Sequence, residues 1–266
     1  MVRKNSLHKN KQSVFYITGT DTEVGKTLVS AALLKVMSEQ GYSSLGMKPV
    51  ASGCENHMGE LLNSDALLLK KNSTIALDYN EINPYAFQPA IAPHIAAKES
   101  GVSVTLDSLV QASQTIISHR ANLTIIEGAG GWHVPINTNT QHTLADFAIA
   151  INAPVILVVA IKLGCINHAL LSVQAIKVSG LPLAGWVANC SVEINDQQAA
   201  RTQENIQTLM SHISEPLIAV IPFLQGEGDN EEIFARKNSQ ELSQIDGEQI
   251  RVDQAVQYLE KFEKLL

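Results

Sequence analysis

A chain of 266 residues with 45% hydrophobic and 17% charged side chains can bury a large core, and its mean hydropathy of +0.05 is ordinary for a globular protein. Its net charge of -7 and pI of about 5.6 argue against a surface built to neutralise nucleic-acid phosphates, and its longest apolar run, APVILVVAI from Ala153, is far too short to cross a bilayer. Cys54, Cys165 and Cys190 have no CxxC spacing and the eight histidines no metal-ligand spacing, so a disulfide framework and a zinc cluster are not indicated and a reducing cytoplasm is expected.

The chain opens on MVRKNSLHKNKQ, a basic stretch without the apolar run of a secretory signal; residues 1–13 are expected to be a flexible tail and 14–266 a single domain. VFYIT (Val14–Thr18) reads as a strand, and a helix from Lys26 carries Val29, Ala32, Leu33 and Val36 on one face and stops at Gly41. SSLGMK gives a second strand ending near Lys48, and a long irregular stretch with short helical pieces runs to about Gly101. Helix LDSLVQASQTIISH, strand LTIIE, helix TLADFAIAIN, strand PVILVVA, helix INHALLSVQAIKVSG, strand PLAGWVAN, helix DQQAARTQENIQTLMSHI and strand PLIAVIP follow. The acidic QGEGDNEE reads as a loop, and DQAVQYLEKFEKLL as a closing amphipathic helix. Strands alternating with helices predict a doubly wound, mostly parallel sheet with helices on both faces.

Between the first strand and helix lies GTDTEVGKT. Gly19 and Gly25 bracket five residues where the familiar phosphate loop has four, but strand, glycine turn and helix come in the required order. Such a turn aims backbone N–H groups at one point, where the helix dipole adds positive potential. Lys26 is then a point charge for outer phosphates and the Thr27 hydroxyl a ligand for Mg²⁺. The extra residue widens the turn and brings Thr22 and Glu23 toward the terminal phosphate or its acceptor. Glu127 ends a strand at the same sheet edge and precedes glycines that allow close backbone approach to a ligand. Asp65 reads equally as a metal ligand or as a helix N-cap. Lys48, before Pro49, reads as a second site lysine or as a solvated one at a strand end.

TGTDTEVGKT, KPVASG, NSDAL, NPYAF, PHIAA, EGAGGW, PVILVV, KLGCINHA, LAGWVAN and IPFL occur in order between Phe15 and Leu224. Together they resemble the dethiobiotin synthetases, phosphate-loop enzymes that use ATP to close the ureido ring in biotin synthesis. The resemblance implies a homodimer acting on 7,8-diaminononanoate and CO₂. It implies that Thr27, Asp65 and Glu127 carry Mg²⁺ and that Lys26 and Lys48 flank the γ-phosphate as the catalytic cations. It also implies nucleotide contacts from Glu23, Val24, Gly25, Lys26, Thr27 and Leu28, from Gly128, Ala129 and Gly130, and from Asn189, Pro222, Phe223 and Leu224. Thr22 and Ser52 fall where the family meets the diamine or its carbamate. Leu163, Gly164, Cys165, Ile166 and Asn167 match the segment that receives the distal carboxylate from the partner subunit.

The chain departs from the family in lacking an aromatic in the helix after VAN, where Asn205 stands nearest, and in its QGEGDNEE loop. Two other readings share the phosphate loop. A corrin amide ligase needs an added glutamine amidotransferase domain, for which no length remains. A partitioning-type switch ATPase carries a second lysine at the start of the turn, where Asp21 stands here.

Overall fold

The computed structural model describes residues 12–190, 196–224, 240–260 and 262. Apart from Gln12 and Ser13, the expected basic tail lies outside them, as does the acidic QGEGDNEE loop. In chain order the elements are β1 (Ser13–Gly19), α1 (Lys26–Glu39), β2 (Ser44–Met47), β3 (Val50–Ser52), β4 (Glu55–His57), β5 (Glu60–Leu62), α2 (Ser64–Asn72), α3 (Tyr79–Ile82), β6 (Tyr85–Phe87), α4 (Pro93–Glu99) and α5 (Leu106–Ser118). Then come β7 (Leu123–Glu127), α6 (Leu144–Ala150), β8 (Val155–Ala160), α7 (Cys165–Val178), β9 (Leu183–Asn189), α8 (Asp196–His212), β10 (Leu217–Ile221) and α9 (Gln240–Leu259).

Six strands form one sheet in the order β10-β9-β8-β1-β7-β2, and every pairing in it is parallel. Side chains alternate along each strand, so each strand feeds two cores. Phe15, Ile17, Ile125, Ile156 and Val158 pack with α1, α2 and α9 on one face. Tyr16, Ile126, Leu157, Val159 and Trp186 pack with α5, α6, α7 and α8 on the other. Burial on both faces explains why β8 reads VILVVA without a polar residue. From β1 the chain passes through α1 to β2 at one edge, returns to lay β7 between them, and then builds outward on the other side of β1. The winding reverses beside β1, and the carboxyl ends of β1 and β7 frame the crevice where such sheets take ligands.

The structure differs from the sequence reading in four places, the first being that α9 starts at Gln240, well before the Asp253 at which the sequence reading starts its closing helix. The connection from 49 to 101 holds four three-residue strands besides its helices: β3 pairs with β6 in parallel, and β4 with β5 as an antiparallel hairpin. Runs this short carry no periodicity to read. Helix α1 is buried far beyond one face, with Ala31, Leu34 and Met37 enclosed too, because α2 and α9 cover the side away from the sheet. Finally, β1 starts at Ser13, and Gln12 donates from Nε2 to the Ile117 carbonyl at 2.7 Å, so ordered structure reaches slightly into the expected tail.

Candidate active site

The crevice is framed by the ends of β1, β2, β7 and β9 and the starts of α1 and α2. β1 ends at Gly19 and releases the turn 20–25. Gly25 then caps α1 in the left-handed region, at φ +90, with no side chain closing the first turn. A Cβ on Gly25 would stand 2.2 Å from Asn189 Nδ2, so both its backbone angle and its neighbour require glycine. Asn189, last in β9, donates from Nδ2 to the Val24 carbonyl at 2.9 Å and pins the turn from the far side. Lys26 is 6% exposed and folds back to donate to the Asp21 carbonyl at 3.0 Å.

A knot of charge lies beside the turn. Lys48, just past β2, donates to Glu127 Oε1 at 2.6 Å and to Asp65 Oδ2 at 2.8 Å, and Thr27 Oγ1 donates to the same Glu127 oxygen at 2.8 Å. Glu127 ends β7 and is fully buried. Asp65 lies in the first turn of α2, but the cap of that helix is Asn63, whose side chain accepts from the Ala66 N–H. The N-cap reading of Asp65 is therefore replaced by an ion pair, and the solvated reading of Lys48 by a buried one, 5% exposed.

The charges are tuned by their surroundings. Burial disfavours the charge on Lys26 and the nearby Lys48 adds repulsion, so its pKa falls to about 8. Burial acts the same way on Lys48, yet Asp65 and Glu127 outweigh it and hold that ammonium above the usual lysine range. For Asp65, burial is likewise overcome, by Lys48, the Thr27 hydroxyl and Lys26, and its carboxyl lies below the usual aspartate range.

Behind the acid, Gly128 leaves room for Tyr16. A Cβ there would meet the Tyr16 hydroxyl at 2.3 Å, and that buried hydroxyl has no hydrogen-bond partner among the described residues. Its pKa is raised, chiefly by burial.

These groups open on a cavity of about 1030 Å³. Thr22, Glu23, Gly25, Lys26, Thr27, Leu28, Lys48, Ser52, Asp65, Ala129, Gly130, Asn189, Pro222, Phe223 and Leu224 all line it. Val24 and Gly128 stand behind the lining. Glu127, fully buried, reaches the site through Thr27 and Lys48. Leu163 to Asn167 do not line the cavity. They form the turn into α7, with Gly164 at φ +91 and Leu163 102% exposed but Cys165 buried in the core. Asn205, on α8, does not line it either. The sequence reading missed Asn63, Ala90–Pro93, Val134, Cys190, Glu248 and Arg251, which also line the cavity. The PHIAA motif begins at Pro93 and so marks only the end of the segment 90–93, whereas no local pattern marks Glu248 or Arg251 in α9.

Thr27, Asp65 and Glu127 supply hydroxyl and carboxylate oxygens, the hard donors that Mg²⁺ takes. Glu127 Oε2 is buried without a hydrogen-bond partner among the described residues, an acceptor of the kind a cation satisfies. The donor set fits that ion.

A parallel sheet that reverses beside a glycine turn, with lysine and threonine opening the next helix, defines the class of phosphate-loop nucleotide-handling proteins. Residues 13–229 match the AAA domain family. MinD of Aquifex aeolicus, a cell division protein, superposes with a TM-score of 0.54 at 14% identity, covering 95% of both chains. A ParA family ATPase of Chlorobium tepidum superposes with a TM-score of 0.54 at 11% identity, covering 96% of this chain and all of that one. At those identities the likeness is one of fold. Among curated relatives, the ATP-dependent dethiobiotin synthetase BioD of Pseudomonas paraeruginosa is 47% identical over 214 residues, covering 80% of this chain and 91% of that protein. BioD of Chromohalobacter salexigens is 45% identical over 218 residues, covering 80% and 90%. The chain belongs to the dethiobiotin synthetase family.

Proposed function

We propose that this protein is a cytoplasmic, homodimeric enzyme that joins 7,8-diaminononanoate and CO₂ at the expense of ATP, giving dethiobiotin, ADP and phosphate. The observation that carries the reading is the double engagement of Lys48 with Asp65 and Glu127, in a cavity that Lys26 and Thr27 also enter. No helix among the described residues is long and apolar enough to cross a membrane.

In this reading one amine of the substrate takes up CO₂ as a carbamate. A carbamate oxygen attacks the γ-phosphorus and the bond to ADP breaks, leaving a carbamic-phosphoric anhydride. The second amine then attacks the carbonyl carbon, the C–O bond to phosphate breaks, and the ring closes. The chain's task is positioning and charge stabilisation. Two anions must meet, and Lys26 and Lys48 lower their repulsion in a setting drier than water. Thr27, Asp65 and Glu127 would hold Mg²⁺, which when bound neutralises charge developing on the phosphate oxygens. Thr22 and Ser52 face the diamine side. Asn189 spends Nδ2 on Val24, which leaves Oδ1 to accept from the amino group of adenine. The turn from Leu163 to Asn167, exposed except at Cys165 and in part at Ile166, opens α7 outward and is suited to the distal carboxylate of a substrate held by the partner subunit. The chemistry belongs to the single domain that opens with β1 at Ser13.

Mixing the protein with MgATP, bicarbonate and 7,8-diaminononanoate should release phosphate only when the diamine is present, with the cyclic urea seen by mass spectrometry. Phosphate release indifferent to the diamine would refute the reading. The substitution Lys48→Ala should lower turnover roughly a hundredfold while ATP binding changes only a few fold. An unchanged rate would remove Lys48 from the mechanism.

A further inference from the structure

Helix α9 lies beyond residue 229, where the family match ends, yet it forms part of the cavity wall. It is held firmly. Gln249 and Asn72 of α2 exchange amide hydrogen bonds at 2.9 and 3.1 Å, Asp253 pairs with Lys35 of α1, and Val252, Ala255, Val256 and Leu259 are buried in the core around α1. Arg251 stands between these anchors and faces the cavity, and its Nη1 donates to Glu248 Oε1 at 2.8 Å, one turn earlier. A guanidinium so placed has a fixed backbone and a carboxylate that orients its plane.

We propose that Arg251, oriented by Glu248, contacts the sugar and α-phosphate part of the bound nucleoside triphosphate. This rests on the reading of the cavity as an ATP site. In that reading Lys26, Thr27 and Lys48 take the terminal phosphates, and Asn189 with 222–224 takes the base. The middle of the nucleotide then passes Leu28 at the start of α1, and α9 packs against α1, α2 and β10 on the flank of that path. The chemistry suits the place. A guanidinium keeps its charge at any working pH, and its planar fork matches two phosphate oxygens, which a lysine there could not reproduce.

The test is titration calorimetry of the full chain with MgATP and with MgADP, for the wild type, Arg251→Met, Arg251→Lys and Lys35→Ala. Arg251→Met keeps most of the side-chain stem and should weaken ATP and ADP alike by about tenfold, since both carry the sugar and α-phosphate. Arg251→Lys should recover part of that loss. Lys35→Ala, which breaks an α1–α9 pair outside the cavity, should bind like the wild type. Unchanged affinity in Arg251→Met would overturn the proposal. So would a loss confined to ATP, which would put the contact at the γ-phosphate, or an equal loss in Lys35→Ala, which would make it a general loosening of α9. If Arg251→Met does not fold, Arg251→Lys decides, and wild-type affinity in that variant overturns the contact. A wild-type protein that binds neither nucleotide would instead refute the ATP reading beneath it.

Discussion

Helices α1 and α7 each run 14 residues, and each is capped by a glycine in the left-handed region, Gly25 at φ +90 and Gly164 at φ +91, with no side chain closing the first turn. Both therefore offer uncapped N–H groups and the positive end of a helix dipole. Their surroundings differ completely. A Cβ on Gly25 would strike Asn189 at 2.2 Å, whereas one on Gly164 meets none of the described residues within 4 Å. Val24, before the first glycine, is fully buried, and Leu163, before the second, is 102% exposed. A glycine at a helix start is a local motif that can be read from sequence. Whether it becomes a closed anion cradle or an open surface depends on what the rest of the chain builds over it. Here α1 lies at the sheet's reversal, ringed by β2, β7 and β9, while α7 lies on the outer face with its start uncovered.

Three measurements would break or sharpen this contrast. The largest effect is expected from Gly25→Ala, which adds both backbone strain and a collision with Asn189; ATP affinity should fall roughly a hundredfold or more, read by calorimetry. Retained affinity would mean that the turn is not as closed as its geometry implies. Next is the pH dependence at the enclosed end. The pKa of Lys26 is lowered to about 8, so above that pH the free protein has lost the proton that a phosphate favours and binding must restore it. ATP affinity should therefore fall by about tenfold between pH 7 and pH 9, with little change below pH 7. A flat profile would mean that Lys26 keeps its proton through this range in the free protein, or that it does not meet a phosphate. The smallest effect is expected from Gly164→Ala, where only backbone strain operates. Tm should drop by about 2–6 °C and ATP affinity should stay within twofold. A large loss of ATP affinity there would erase the distinction between the two helix starts.

Much of this architecture was legible because periodicity and punctuation agree in the long elements. β8 reads as an unbroken apolar run, α5 and α6 carry Thr105 and Thr143 as caps, and each of these elements lies where its pattern places it. The strands β3 to β6 are three residues each and gave no such pattern. In the site, the charged residues could be nominated from motifs, but their mutual bonding could not. That Lys48 bridges Asp65 and Glu127 requires three segments to converge, and the competing cap reading of Asp65 yields only when Asn63 is seen to occupy that position. Glu248 and Arg251 were invisible for the same reason. They precede Asp253, where the sequence reading starts its closing helix, and only the packing of α9 on α1 and α2 turns them toward the cavity.

The burial of α1 has a consequence for how this protein can vary. From Val29 to Leu34 every residue is enclosed, more than a full turn with no outward side, because sheet, α2 and α9 surround it. A larger side chain there has no free direction in which to move, and a smaller one leaves a void against several neighbours at once. Tolerance to amino-acid change is thus low in the helix segment behind the phosphate loop, whereas the loop's own residues from Asp21 to Glu23 are exposed. Altered chemistry is more easily reached by changing the loop than by moving the helix that carries Lys26 and Thr27.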